Sequence, residues 1–153
     1  MKELDLEGIT ARLRKLDEYD GYLKQLQELS ELDFVGDFRL FGSAERYLQL
    51  SIECLLDIGQ MIIAGLGLPK PEKHQEVIDI LAGAEIISHD LAARLEGAGG
   101  FRNILVHDYL DIDRHIVYRT LQDDLDDIRD FAAAVAKFVS EMSADVEEGR
   151  KFG

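Results

Sequence analysis

Apolar residues recur at helical spacing along nearly the whole chain. Ile9, Leu13, Leu16, Leu23, Leu26 and Leu29 are three or four residues apart, with one longer step across Asp20-Gly21, which predicts an amphipathic helix from about 9 to 33. Asp33-Phe34-Val35-Gly36-Asp37 breaks the pattern. From about 37 to 64, Phe41, Ala44, Leu48, Ser51, Leu55, Ile58 and Ile62 share one face, while Tyr47, Ile52, Leu56 and Met61 occupy others. A helix that is apolar most of the way round is central in its fold or shared with a partner. Gly65, Gly67, Pro69 and Pro71 then mark a loop.

A short helix around Val77, Ile78 and Leu81 follows, and another is expected to begin near Glu85 and run through Leu91 and Leu95 to a stop at Gly97. The last helix, about 113 to 142, has Asp111 and Asp113 as possible caps and a continuous stripe of Val117, Leu121, Leu125, Ile128, Phe131, Val135, Phe138 and Met142. No segment alternates with period two for long enough to predict a strand. The expected fold is all-α: an antiparallel bundle of about five to six helices in one domain, residues 1–144, followed by a frayed acidic tail over 145–153.

At 153 residues the chain can bury a sizeable core, and its 46% apolar and 31% charged residues match a globular rather than a disordered chain. No uninterrupted apolar stretch approaches the roughly 18 residues of a membrane span, and Met1-Lys2-Glu3-Leu4-Asp5 lacks the apolar core of a signal peptide. A cytoplasmic location without membrane association is therefore expected. The single cysteine, Cys54, lies among Ile52, Leu55, Leu56 and Ile58 and is expected to pack rather than react. The formal charge of −14 weighs against binding a polyanion, because such affinity comes largely from Lys and Arg at phosphates. A groove lined by a few arginines can nevertheless be locally positive.

One segment carries a distinct chemistry: Phe101-Arg102-Asn103-Ile104-Leu105-Val106-His107-Asp108-Tyr109, an Arg-x4-His-x-Tyr string. Guanidinium offers a planar fork of donors suited to phosphate, and imidazole exchanges protons near neutral pH. Together they can act on a phosphodiester without a metal. Arg102 is assigned the anion clamp and His107 the acid or base, with Asn103 orienting the imidazole or contacting phosphate. On a helix, Asn103 and His107 share a face, whereas Arg102 and His107 point about 140° apart. One copy therefore does not focus both groups on a single atom, and a site composed from two symmetry-related copies is physically plausible.

Spacing this short does not identify a function; the surroundings do. Leu110, Asp111, Ile112 and Asp113 follow the string, and upstream stand Glu45-Arg46-Tyr47-Leu48-Gln49, Ile52-Glu53 and Leu56-Asp57-Ile58-Gly59. From about Ile9 to Phe138, this combination resembles the HepT-like branch of the HEPN superfamily. The resemblance implies a homodimeric, all-helical toxin that cuts RNA, not DNA, without metal or other cofactor. It also implies a cognate minimal nucleotidyltransferase antitoxin that silences the toxin by adenylylating the motif tyrosine, here Tyr109. Tyr19, Tyr22, Tyr47 and Tyr118 lie outside the motif.

Other readings are weaker. His107-Asp108 evokes a metal phosphohydrolase, but His74, His89 and His115 show no ligand partnership one helical turn away, so no catalytic metal is expected. Asp123, Asp124, Asp126, Asp127 and Asp130 read as a solvated helix face, and Gly97-x-Gly99-Gly100 lacks the Lys-Ser/Thr of a phosphate-binding loop. The alternative function is a noncatalytic HEPN module that binds a nucleotide or a partner protein.

Overall fold

The computed structural model describes residues 4–97 and 113–152, which form seven helices and, among the described residues, no strand. The first, α1 (Leu6–Gln27), starts where the Asp5 carboxylate accepts the Gly8 amide at 2.9 Å, and it buries Ile9, Leu16 and Leu23. The expected continuation to residue 33 does not occur. Ser30 adopts an extended backbone and its hydroxyl accepts the Asp33 amide at 3.2 Å, capping a separate short helix, α2 (Glu31–Val35). This break lets Phe34 turn into the core, where it is fully buried with its ring 5.3 Å from that of Tyr118.

Asp37 caps α3 (Phe38–Gly65), which is the central helix. Its buried residues include Leu48, Ile52, Leu55, Leu56, Ile58 and Ile62, so both apolar faces foreseen from the pattern are used, against α1, α2, α4, α6 and α7. It is long and apolar enough to cross a membrane, but over half of its apolar stretch is buried inside the protein. After the glycine-proline loop come α4 (His74–Gly83) and α5 (His89–Gly97). Residues 84–88 connect them, contrary to a helix start at Glu85, because Glu85 takes a left-handed backbone (φ 62°) while the Ile86 amide closes onto the Leu81 carbonyl. The next cap is Ser88, whose hydroxyl accepts the Leu91 amide at 3.0 Å.

The last stripe is also divided, into α6 (Arg114–Asp123), capped by Asp113, and α7 (Leu125–Phe152). Thr120 donates its hydroxyl to the Ile116 carbonyl at 2.8 Å, a back-bond that bends helices, and Asp124 closes α6 through its amide to the Thr120 carbonyl. The two breaks account for seven helices among the described residues, against five to six expected of the chain. The apolar register survives the second break: Val117, Leu121, Leu125, Ile128, Phe131 and Val135 are all buried. The acidic segment expected to fray continues α7 as far as Phe152, with Asp145, Glu147 and Glu148 exposed. Side-chain amides lock the end of α1 to α6: Gln27 donates to the Leu121 carbonyl at 3.0 Å and Gln122 to the Gln27 carbonyl at 2.7 Å. Both satisfy carbonyls left open at helix ends.

Candidate functional site

Arg102, Asn103, His107 and Tyr109 fall between 98 and 112, outside the described residues. The structure defines the frame on either side: α5 leads into the segment and α6 leads out of it. On the upstream side, Arg94 sits in the last turn of α5. Its Nη1 donates to Asp127 at 2.8 Å and to Asp130 at 2.9 Å, both on α7, and its Nε donates to Asp90 at 3.3 Å. The hydrogen bond it donates to Asp130 and the charge of Asp127 hold the guanidinium above its ordinary pKa. Asp127 is only 8% exposed, so part of the acidic run is an interhelical anchor rather than a solvated face. On the same helix as Arg94, the neighbouring Asp79 carboxyl of α4 raises the Glu96 pKa.

On the downstream side, Arg114 opens α6. Its Nη1 donates to the Val35 carbonyl at 2.9 Å, and the guanidinium lies 4.4 Å from the centre of the Phe41 ring, within cation-π range. His115 adds a 2.9 Å contact from Nδ1 to Glu31. Both ends of the segment are thus joined to distant parts of the chain through arginine.

The upstream residues that accompany the motif lie on α3. Leu48, Ile52, Leu56, Ile58 and Gly59 are buried, so their pattern reflects packing. Arg46 is exposed and reaches Gln49 at 3.4 Å, and Tyr47 meets Tyr22 and Tyr19 at ring separations of 4.9 and 5.9 Å. Tyr118 donates to the Leu29 carbonyl at 3.0 Å, a packing role. His74, His89 and His115 are exposed, and among the described residues no group of three His, Cys, Asp or Glu could hold a metal ion. Cys54 is half-buried with its thiol on the Arg12 carbonyl at 3.3 Å, and burial, aided by Asp57, pushes its pKa up to about 11.

The helical frame matches known proteins. The profile described as "Ribonuclease HepT-like" matches residues 12–135, a span that includes the whole Arg-x4-His-x-Tyr string. The chain belongs to the HepT-like family. It is 31% identical over 113 residues to a tRNA nuclease HepT of Aphanizomenon flos-aquae, covering 74% of this chain and 77% of that protein. It is likewise 31% identical over 111 residues to an mRNA nuclease HepT of Shewanella oneidensis, covering 71% and 84%. Among solved structures, the tri-AMPylated Shewanella oneidensis HEPN toxin in complex with its MNT antitoxin superposes with a TM-score of 0.74. That match is 26% identical and spans 90% of this chain and 99% of that one. The fold alone is shared with the cytosolic Bacillus subtilis protein YutE, with a TM-score of 0.76 at 21% identity over 93% of this chain and 95% of that one.

The arginines on the two stems were not legible as a pair in the sequence. Arg94 lies 33 and 36 residues from its α7 partners, and Arg114 lies 79 residues from Val35. The visible signal was the four-residue step from Asp127 to the buried Phe131, which puts the two on one helix face.

Proposed function

We propose that this HepT-like protein is a metal-independent endoribonuclease toxin, acting as a cytoplasmic homodimer. The observation that carries the reading is the family match across 12–135, which encloses Arg102, Asn103, His107 and Tyr109 in order. The relatives named as tRNA and mRNA nucleases support RNA as the substrate class.

In the proposed reaction the ribose 2′-oxygen attacks phosphorus, the bond to the 5′-oxygen breaks, and a 2′,3′-cyclic phosphate and a 5′-hydroxyl result. His107 of one protomer takes the 2′-hydroxyl proton, and His107 of the other supplies a proton to the leaving 5′-oxygen. Arg102 stabilises the charge that accumulates on the nonbridging oxygens through paired, charge-assisted hydrogen bonds. Asn103 orients the imidazole. Two motifs in one cleft supply both proton carriers, whereas one copy of the motif has a single histidine.

The cognate partner is a minimal nucleotidyltransferase antitoxin, and its target is the Tyr109 hydroxyl. The tri-AMPylated state of the Shewanella toxin supports this mode of control. An AMP ester at Tyr109 adds negative charge and bulk where an RNA phosphate must approach. A second reading is a noncatalytic module that binds a nucleotide or a partner protein, and the net charge of −14 favours the partner-protein form, through a basic surface on that partner.

The test is RNA cleavage by purified protein with Arg102→Ala and His107→Ala as comparisons. Each should lower the rate by about 10²–10⁴, the range for loss of one proton carrier or charge clamp, while fold and dimer persist. Cleavage at the wild-type rate by both variants would remove the site assignment, and RNA bound but never cut by the wild type would favour the second reading. Intact-mass analysis after coexpression with the nucleotidyltransferase should show AMP on the wild type and none on Tyr109→Phe. AMP retained by that variant would move the modification elsewhere.

A further inference from the structure

Where α3 gives way to the glycine-proline loop, the surface holds a cavity of about 430 Å³, lined by Gln60, Ile63 and Ala64 of the helix and by Leu68, Lys70 and Pro71 of the loop. We propose that this cavity is a binding site for a small carboxylate bearing an apolar chain, with the Lys70 ammonium holding the carboxylate and Ile63, Leu68 and Pro71 receiving the chain. The inference is independent of the nuclease reading, because neither the cavity nor its lining belongs to the Arg-x4-His-x-Tyr string.

The local sequence builds the cavity. Gln60, Ile63 and Ala64 are three and four residues apart and so share one face of α3. That helix ends in a paired closure: the Leu68 amide donates to the Ile63 carbonyl at 3.0 Å and the Gly67 amide to the Ala64 carbonyl at 3.2 Å, with Gly67 in the left-handed region at φ 68°. This is the Schellman arrangement, and it brings Leu68 back over the helical turn that carries Ile63. At the far end of the loop, the Glu76 carboxylate accepts the Glu72 amide at 2.7 Å. The loop wall is thus fixed at both ends, so a ligand would not have to order it on binding.

The wall is poor in polar groups. Pro69 and Pro71 have no amide hydrogen, and the amides of Leu66, Gly67 and Leu68 already donate to carbonyls of α3. Ile63 is buried, Leu68 and Pro71 are half-buried, and Ala64 contributes only a methyl group at an exposed position. An apolar hollow of about 300–1,000 Å³ with a few polar groups at its edge is the common form of a small-molecule site. The polar groups here are the Gln60 amide and the Lys70 ammonium, both exposed. Lys70 is the one charged residue on the lining, and its ammonium has no ion pair or hydrogen bond among the described residues. In a chain with 31 acidic and 17 basic residues, an unpaired cation beside an apolar hollow selects the ligand's sign. One ammonium balances one carboxylate, whereas a phosphate monoester would bring further negative charge to an acidic protein. The Gln60 side chain can offer the same carboxylate an additional N–H donor.

Octanoate and octylammonium, which share a chain and differ in the sign of the head group, are the probes. Titrated into the full chain, octanoate should bind saturably in calorimetry and shift backbone amide resonances centred on residues 60–71. Octylammonium should bind about tenfold more weakly, the effect of replacing an attraction by a repulsion at a partly exposed site. Lys70→Ala should weaken octanoate about threefold, and Lys70→Glu about tenfold with the preference between the probes inverted. Ala64→Trp, at an exposed position, fills the cavity and should abolish binding of both probes while helical circular dichroism is retained. Octanoate affinity unaffected by Ala64→Trp would overturn the proposal, as would equal affinity for the two probes or the absence of saturable binding. RNA cleavage enters none of these readouts, so failure of the nuclease reading leaves them intact.

Discussion

Gly59, in the middle of α3, is the position where the fold can be tested by adding a single methyl group. A Cβ built there would lie 2.5 Å from Val77 Cγ1 and 3.2 Å from Leu81 Cδ1, both on α4. Val77 and Leu81 are fully buried, and Val is stiff at χ1, so neither side chain can swing aside. Restoring carbon contacts to the usual 3.5–4.0 Å requires α4 to retreat by roughly 1 Å. Overpacking of this kind costs about 1–3 kcal/mol. Alanine also gains about 1 kcal/mol over glycine in helix propensity. The net expectation for Gly59→Ala is a loss of zero to about 2 kcal/mol, whereas Gly42→Ala on the same helix, with nothing within 4 Å of its Cβ, should gain up to about 1 kcal/mol. The informative quantity is the difference between the two variants, about 1–3 kcal/mol, or several degrees in Tm for a chain of this length. Urea unfolding of both, together with Gly59→Ala/Val77→Ala as a rescue, measures it. Equal stabilisation by the two alanines would show that α4 does not rest on α3 at Val77.

Cys54, with its pKa pushed up to about 11, should react with iodoacetamide at pH 8 far more slowly than a free thiol and at near-normal rates only in denaturant; rapid native-state labelling would contradict its burial. At Asp124, burial and the charges of Asp127 and Asp123 raise the pKa above the ordinary 3.8, so the native state binds this proton more readily than the unfolded chain. The associated stability is fully present below that ordinary value and is lost as pH rises through the raised one, leaving the ionised group a liability at neutral pH. Asp124→Asn should therefore raise Tm at pH 7, with the advantage disappearing near pH 3.8; an unchanged or lower Tm at pH 7 would reject this account. Ser30→Ala should cost about 1 kcal/mol through loss of the cap on α2, read from urea midpoints, and no loss would show that the hydroxyl bond to Asp33 is dispensable.

The apolar stripes were legible because burial follows the 3.6-residue period: the stripe from Val117 to Val135 is buried throughout, and α3 uses two faces because it is central. The breaks at Ser30 and Asp124 were not legible. Ser30 follows the last residue of one apolar stripe and Asp124 lies inside another whose register continues past it, and each break is decided by a local hydrogen bond that competes with the helix rather than by the periodicity. Glu85 hid a turn because a left-handed backbone is unusual for glutamate. Arg102 and His107 suggest phosphodiester chemistry only through their side-chain types taken with their surroundings; the family match spans the string, and both residues lie outside the described ones. The anchors at Arg94 and Arg114 depend on contacts between residues far apart in sequence, which no local pattern encodes.

The most direct test of the account is the rate at which purified wild-type protein cleaves RNA in the presence of excess chelator. If protein side chains supply both proton carriers and the phosphate clamp, the rate should be unchanged by chelator and unaffected by adding back divalent ions. Cleavage that stops with chelator and returns with a metal ion would contradict a site built from Arg102 and His107 alone.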